Sequence, residues 1–229
     1  SFSDIYYEII ESTAGRSIFK VIINNPPFGY PENSREKYLF SCILFPEFNI
    51  HNLIFAICSI GFSSFSLEGI NDLSFLRLPR GRTELVSNIS ANVIIDFAHN
   101  AEGFKFFLSS IKNYFENLVI VFGCGGDRDK SKRPVMLKIA IKNGAKVIFT
   151  TDNSRSETFK NIYNDASKGN SLDKVMVIED RKEAIIHGSS LIGDNDCLVI
   201  LGKGHEETQE INAKILYFSD QEVVNEIYK

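Results

Sequence analysis

A chain of 229 residues can hold one large domain or two small ones, and 44% hydrophobic with 24% charged residues is the ordinary balance of a soluble globular protein. A net charge of −4 argues against a nucleic-acid surface, which needs a concentrated basic patch. No apolar run is long enough to span a bilayer, and the first residues lack the basic-then-apolar pattern of a secretory signal. The four cysteines, Cys42, Cys58, Cys124 and Cys197, form no CxxC pair, so a zinc site is not expected. Cys42, Cys58 and Cys197 sit among apolar neighbours and read as buried thiols of a reducing compartment, which makes the cytoplasm the expected location.

The pattern changes near 85–92. Before it, 17–23 (SIFKVII) and 37–45 (KYLFSCILF) read as strands on either side of the turn-rich 24–34, which contains Pro26, Pro27, Gly29 and Pro31. Short helices are expected over 52–60 and 67–73. Two strands and two helices make little core, so this stretch reads as part of a larger domain. From Asn92 the alternation becomes regular. Strands are expected at 93–95, 118–122, 146–150, 174–178 and 197–201, with helices at 101–114, 134–142, 158–167 and 181–191. The 101–114 helix would bury Phe104, Phe107, Leu108 and Ile111. Pro134 suits a first helical position and Gly144 a helix stop. A last strand over 213–218 and a helix over 219–228, capped by Ser219 or Asp220, complete the pattern. Short apolar strands alternating with amphipathic helices predict an α/β fold with a mostly parallel sheet. The expected division is a first domain over 1–88 and a second over 89–229.

In open α/β sheets ligands bind beyond the carboxyl ends of the strands. Four polar or glycine-rich segments fall at such ends: Asp96 to His99, Gly123 to Arg133, Thr151 to Arg155, and Gly202 to Glu206. If the strands are parallel neighbours, all four line one cleft. Taken singly, each has a plainer reading. Asp96 and His99 can end a strand and cap a helix. The Gly123–Gly126 run can cradle a phosphate through its N–H groups or be a turn; it matches neither G-x-G-x-x-G nor a P-loop. Arg128 and Arg133 suit an anionic ligand, although loop arginines are usually solvated. Asp152, Asn153 and Arg155 supply an acceptor, an amide and a cation, as an amino acid's two charged ends require; the plainer alternative is an Asx-turn before the 158–167 helix. The HE of Gly202-Lys-Gly-His-Glu206 is not a zinc-protease HExxH, because Gln209 stands where the second His belongs. His51 and His187 have no partner visible in the sequence.

Six segments, in one order, resemble the Mur ligases. Val121 to Pro134 (VFGCGGDRDKSKRP) is similar to the family's glycine-rich loop, above all to that of the UDP-N-acetylmuramoyl-tripeptide synthetases. Phe48 to Asn52 resembles the FNxxN element of the central ATPase domain, and Gly81 to Glu84 the GRxE element. Asp96 to His99 resembles DYAH, Asp152 to Arg155 DNPR, and Gly202 to Glu206 GKGHE. The resemblance covers roughly residue 40 to the end.

It implies an ATP-dependent ligase of peptidoglycan-precursor synthesis with a Rossmann-like C-terminal domain, preceded here by the tail of the central ATPase domain. In that family ATP activates a carboxylate as an acyl phosphate, and an amine displaces phosphate through a tetrahedral intermediate. The implied acceptor is the UDP-N-acetylmuramoyl-dipeptide ending in D-glutamate, and the amine is a diamino acid. By position in the motifs, Asn49 and Asn52 would flank the nucleotide, Arg82 would contact ATP phosphate, and Asp96 would hold the ribose hydroxyls. His99 and Arg128 belong to the same nucleotide set. Arg133, Asp152, Asn153, Arg155, Gly202 and Glu206 would form the amino-acid pocket, arginines pairing with carboxylate and Glu206 with ammonium. Mg²⁺ is implied, but its ligands, the P-loop lysine, the modified lysine and the UDP-binding domain belong to segments upstream of these motifs. No residue here is therefore assigned a catalytic role, and the 229 residues are expected not to ligate alone. A monomer without nucleic-acid or membrane partners is expected.

The departures are Ser154 for the proline of DNPR, Ala101 where a proline often follows DYAHN or DYAHT, and no glycine in the Phe45-Pro46-Glu47 approach to Phe48. An arginine at 155 resembles the meso-diaminopimelate-adding enzymes, whose substrate carries a second carboxylate. Lysine or ornithine stays open, since serine for proline loosens the loop. The alternatives are a folylpolyglutamate synthetase-like ligase, which the GCGGDRD and GKGHE segments fit less well, and a non-catalytic nucleotide-binding module. A plain NAD-binding domain would need G-x-G-x-x-G after its first strand.

Overall fold

The structure is a computed structural model that describes residues 5–24, 35–61, 71–86 and 89–229. The chain divides into two compact units, Ser1–Leu78 and Pro79–Lys229.

In the first unit β1 (Ile5–Thr13), β2 (Arg16–Asn24) and β3 (Arg35–Cys42) form an antiparallel sheet in that order. Period-two alternation sends Phe19, Val21, Phe40 and Cys42 to one face. There α1 (Glu47–Gly61) contributes Ile50 and Ile54, and Leu44 and Leu73 close the core. The Ser17 hydroxyl, buried at its edge, donates to the Leu44 carbonyl at 2.7 Å. Both expected strands are present, but the second stops at Cys42. β1 escaped the sequence pattern because a register shift between Ile9 and Glu11 breaks its alternation. α1 starts earlier than expected, which puts Asn49 in its first turn. Of the helix expected over 67–73, residues 67–70 lie outside the described residues. The remainder is extended, with Asp72 bridged to Ser41 and the Leu73 N–H donating to the Ser41 carbonyl at 2.8 Å.

The second unit runs β4 (Glu84–Leu85), β5 (Val93–Asp96), α2 (Ala101–Ile111), β6 (Leu118–Phe122), α3 (Lys132–Asn143), β7 (Lys146–Phe149), α4 (Phe159–Ser167), β8 (Val175–Val177), α5 (Arg181–Ser189), β9 (Cys197–Leu201), β10 (Thr208–Ile211), β11 (Lys214–Tyr217) and α6 (Asp220–Ile227). Six strands form one sheet in the order β4-β5-β9-β6-β7-β8; only β4 is antiparallel to its neighbour. The all-apolar strands are buried on both faces, as a parallel sheet covered by helices requires. Val93, Ile95, Val119, Val121, Leu198 and Ile200 face one layer, with Ala184 and Ile185 of α5 and Val223 and Val224 of α6. The opposite face carries a chain of aromatic contacts: Phe104 of α2 meets Phe122 at 5.0 Å, Phe122 meets Phe149 at 5.3 Å, and Phe149 meets Tyr163 of α4 at 5.5 Å. The first two pairs are edge-to-face, a geometry that adds to simple burial, and the third is tilted.

The mostly parallel α/β fold is as expected, with two corrections to its elements. β4 pairs with β5 through Glu84–Ile95 and Leu85–Ile94, so it is part of the second unit's sheet. α3 begins at Lys132, making Pro134 an early but not first helical residue. The expected last strand is half of a separate hairpin, β10 with β11, closed by Asn212 and Ala213 at φ 50° and 58°. β9, late in the chain, lies between β5 and β6. That order sets the carboxyl ends of β5, β9, β6 and β7 side by side.

Candidate functional site

The four loops expected at those ends are there, and they bind chiefly to one another. Asp96, ending β5, has a buried carboxylate whose Oδ2 accepts from the Thr83 N–H at 2.7 Å and whose Oδ1 accepts from the Ala98 N–H at 2.8 Å. Burial pushes its pKa up, and these donors oppose the rise. Its oxygens therefore join the 81–84 and 97–99 loops in this structure. Arg82 lies over the Phe97 ring, 4.6 Å from its centroid. His99 and His205 approach the same ring at 4.9 and 5.4 Å. Arg82, His99 and His205 are all exposed, so this cluster presents cationic and imidazole groups around an aromatic platform. His205 was missed in the sequence; only its place in the GKGHE segment could have flagged it.

Gly81 and Gly204 let two of these loops touch. Both have positive φ, 67° and 54°, and a Cβ on Gly204 would lie 2.8 Å from the Gly81 carbonyl oxygen.

The glycine-rich loop after β6 packs on the backbone of the loop after β7. A Cβ on Gly123 would lie 2.7 Å from the Asp152 nitrogen, and one on Gly126 would overlap the Ser154 carbonyl. The Gly126 N–H donates to the Asn153 carbonyl at 2.9 Å. These glycines serve loop-to-loop approach, and that N–H is not left over for a phosphate. Arg128 is exposed on the loop, without an ion pair among the described residues. Arg133 is fully buried. Its Nη2 donates to Glu157 Oε1 at 2.7 Å and to the Gly125 carbonyl at 3.1 Å, and its Nη1 to Asp165 at 3.0 Å. Its charge thus holds the loop onto α4, and it is not a free reader of carboxylate. Its Nε is buried without a hydrogen-bond partner.

Asn153, Arg155, Gly202 and Glu206 do come together. Asn153 Nδ2 donates to Glu206 Oε2 at 3.0 Å. Arg155, at φ 52°, donates from Nη1 to the Gly126 and Asn153 carbonyls at 2.9 and 3.3 Å. Asp152 is nearly buried, and Gly202, at φ 110°, leaves no room for a Cβ beside Asp152 Oδ2. Lys203, which the sequence reading passed over, is fully buried. Its ammonium donates to the Thr208 carbonyl and to Glu206 Oε2, the latter at 3.2 Å, so it holds that carboxylate in place. Arg181 and Asp220 form a fully buried ion pair beneath these loops, and Arg181 also donates to the Leu201 carbonyl at 3.1 Å. Asn49, in the first unit, is buried with its amide donating to the Phe45 carbonyl at 2.9 Å, while Asn52 is exposed one turn further along α1.

Cys42, Cys124 and Cys197 are buried free thiols, as expected for Cys42 and Cys197; the side chain of Cys58 lies outside the described ones. Burial pushes the Cys124 thiol up to about 12. Among the described residues no group of three His, Cys, Asp or Glu side chains is placed to hold a metal ion.

The loop network has an acid-side signature. The Arg133 guanidinium beside Glu157 holds its carboxyl down to about 2. A carboxylate with a depressed folded pKa stabilises the fold above its unfolded value, near 4.5, and loses that contribution as pH falls through the folded value. The second unit should therefore lose about 2 kcal/mol from this group between pH ~4.5 and pH ~2. Urea melts at intervals across that window should show the loss, and Glu157→Gln should flatten it; equal slopes for both proteins would refute the assignment.

Comparison with known proteins sets this geometry in a family. Residues 81–204 match the model of the Mur ligase, glutamate ligase domain. The chain belongs to the Mur ligase family. It is 41% identical over 198 residues to the UDP-N-acetylmuramoyl-L-alanyl-D-glutamate–2,6-diaminopimelate ligase of Wigglesworthia glossinidia brevipalpis, covering 82% of this chain and 39% of that protein. It is 38% identical to the enzyme of the same name from Helicobacter pylori strain J99, covering 86% of this chain and 44% of the relative. The chain thus spans about two fifths of the length of these relatives. Among solved structures, a UDP-N-acetylmuramoyl-L-alanyl-D-glutamate–2,6-diaminopimelate ligase superposes with a TM-score of 0.75 at 29% identity, over 98% of this chain and 45% of that one. A folylpolyglutamate synthase from Thermotoga maritima shares the fold, with a TM-score of 0.63 at 21% identity, over 87% of this chain and 44% of that one.

Proposed function

We propose that this chain carries the amino-acid-binding part of an ATP-dependent ligase that joins a diamino acid, with meso-diaminopimelate favoured, to UDP-N-acetylmuramoyl-L-alanyl-D-glutamate in the cytoplasm. The observation that carries the reading is the placement of Arg155 beside Asn153, which is itself bonded to Glu206. A part-exposed guanidinium on the Asn153 backbone carbonyl and a part-exposed carboxylate on the Asn153 side-chain amide suit a ligand end bearing both carboxylate and ammonium. Lysine or ornithine would leave the guanidinium without a ligand carboxylate. ATP, with Mg²⁺, would supply the activation of the acceptor carboxylate as an acyl phosphate. This chain's contribution would be to hold the amine and to offer Arg82, over Phe97, to phosphate oxygens. Positioning of this kind can account for a large part of a rate enhancement.

Calorimetric titration of the chain with meso-diaminopimelate, L-lysine and L-ornithine tests the reading. Arg155→Met is expected to weaken diaminopimelate binding by about 10- to 100-fold, the loss of a charge-assisted contact, and to leave lysine unaffected. An unchanged diaminopimelate affinity would remove Arg155 from the pocket. Phosphate release with ATP, Mg²⁺ and the UDP-linked dipeptide, dependent on one of these amines, tests the ligase activity itself.

A further inference from the structure

Residues 153–155 run along β10 as an added edge. Asn153 Oδ1 accepts from the Glu210 N–H at 2.9 Å, the Arg155 N–H donates to the Glu210 carbonyl at 3.0 Å, and the Asn212 N–H donates to the Arg155 carbonyl at 2.8 Å. This register sets the Glu210 carboxylate against Arg155, with Oε2 3.4 Å from Nε. The Arg155 side chain is 24% exposed and that of Glu210 40%. Arg155 Nη1 is already committed to two carbonyls, so Glu210 covers the Nε edge of the guanidinium. Among the described residues, Arg155 is the only cation paired with Glu210.

We propose that Glu210 is a specificity-determining residue: an internal carboxylate that occupies Arg155 when the site is empty and that a ligand carboxylate must displace. The inference rests on the reading of Arg155 given above and adds what sets its threshold. Two carboxylates cannot share one guanidinium edge without repulsion, so Glu210 weakens every ligand that addresses Arg155 through a carboxylate. A ligand whose far end is only an ammonium meets no such competitor. Glu210 therefore narrows the gap in affinity between meso-diaminopimelate and L-lysine. Because the pair is part-exposed, the effect is modest.

The test is titration of the wild-type chain, Glu210→Gln and Arg155→Met with meso-diaminopimelate and with L-lysine. Glu210→Gln is expected to tighten diaminopimelate about three-fold and not to tighten lysine. A purely structural role for Glu210 would move both ligands together, and that result, or an unchanged or weaker diaminopimelate affinity, overturns the proposal. If the wild-type chain binds neither amine, or Arg155→Met leaves diaminopimelate unaffected, the functional reading fails first and this inference falls with it.

Discussion

Replacing Asp220 by alanine is expected to destabilise the second unit by about 3–5 kcal/mol, the cost of breaking a buried ion pair on one side. Arg181 and Asp220 are both fully buried and meet bidentately, Nε to Oδ1 and Nη2 to Oδ2, each at 2.8 Å. A guanidinium cannot escape the loss by shedding its proton. The remaining donors reach only the Thr151 and Leu201 carbonyls, at 3.4 and 3.1 Å, which do not balance a full charge. Because those carbonyls lie at the ends of β7 and β9, the damage should spread to the amino-acid loops. Urea melts followed by circular dichroism measure the loss. A change under about 1 kcal/mol would mean that water reaches Arg181. Replacing both partners by apolar residues of similar volume should cost much less than either single change.

Gly126→Ala is expected to cost about 2–4 kcal/mol, from overpacking and from loss of the Gly126 hydrogen bond to Asn153. The added methyl would overlap the Ser154 carbonyl, a backbone atom that cannot swing aside as a side chain would. Moving Ser154 displaces Arg155, so amine binding should fall with stability. Gly193→Ala is the control. There the new Cβ meets only the Asp196 carboxylate, at 3.5 Å, and a change within about 0.5 kcal/mol is expected. Equal costs at the two positions would show that the glycine-rich loop has room to spare.

Most of the second unit was legible because its strands are short, fully apolar runs and its helices carry clear apolar stripes, such as Phe104, Phe107, Leu108 and Ile111 of α2. The insertion of β9 between β5 and β6 was not, since strand order depends on packing of whole elements rather than on local pattern. β10 was missed because Thr208-Gln-Glu-Ile211 is polar and pairs mainly with its own hairpin partner. The site segments could be read one by one, and their common edge could be anticipated. Their mutual commitments could not. Arg133 and Glu157 are far apart in sequence, as are Arg181 and Asp220, and nothing local says that each pair will be spent on the other. Lys203 carries no mark in the sequence beyond its two flanking glycines, yet its ammonium is held by Glu206 and the Thr208 carbonyl.

The brevity of β4 has a consequence for handling the protein. A sheet's outermost strand offers unsatisfied backbone groups to any passing chain, and a two-residue strand offers very few. Behind it lies β5, Val93-Ile-Ile-Asp96, buried along its whole length. A cut placed at the sequence-derived division, after residue 88, would strip that cover and leave a sticky apolar ribbon at the rim. The shorter product would be prone to precipitate, whereas one trimmed ahead of Pro79 would keep its guard.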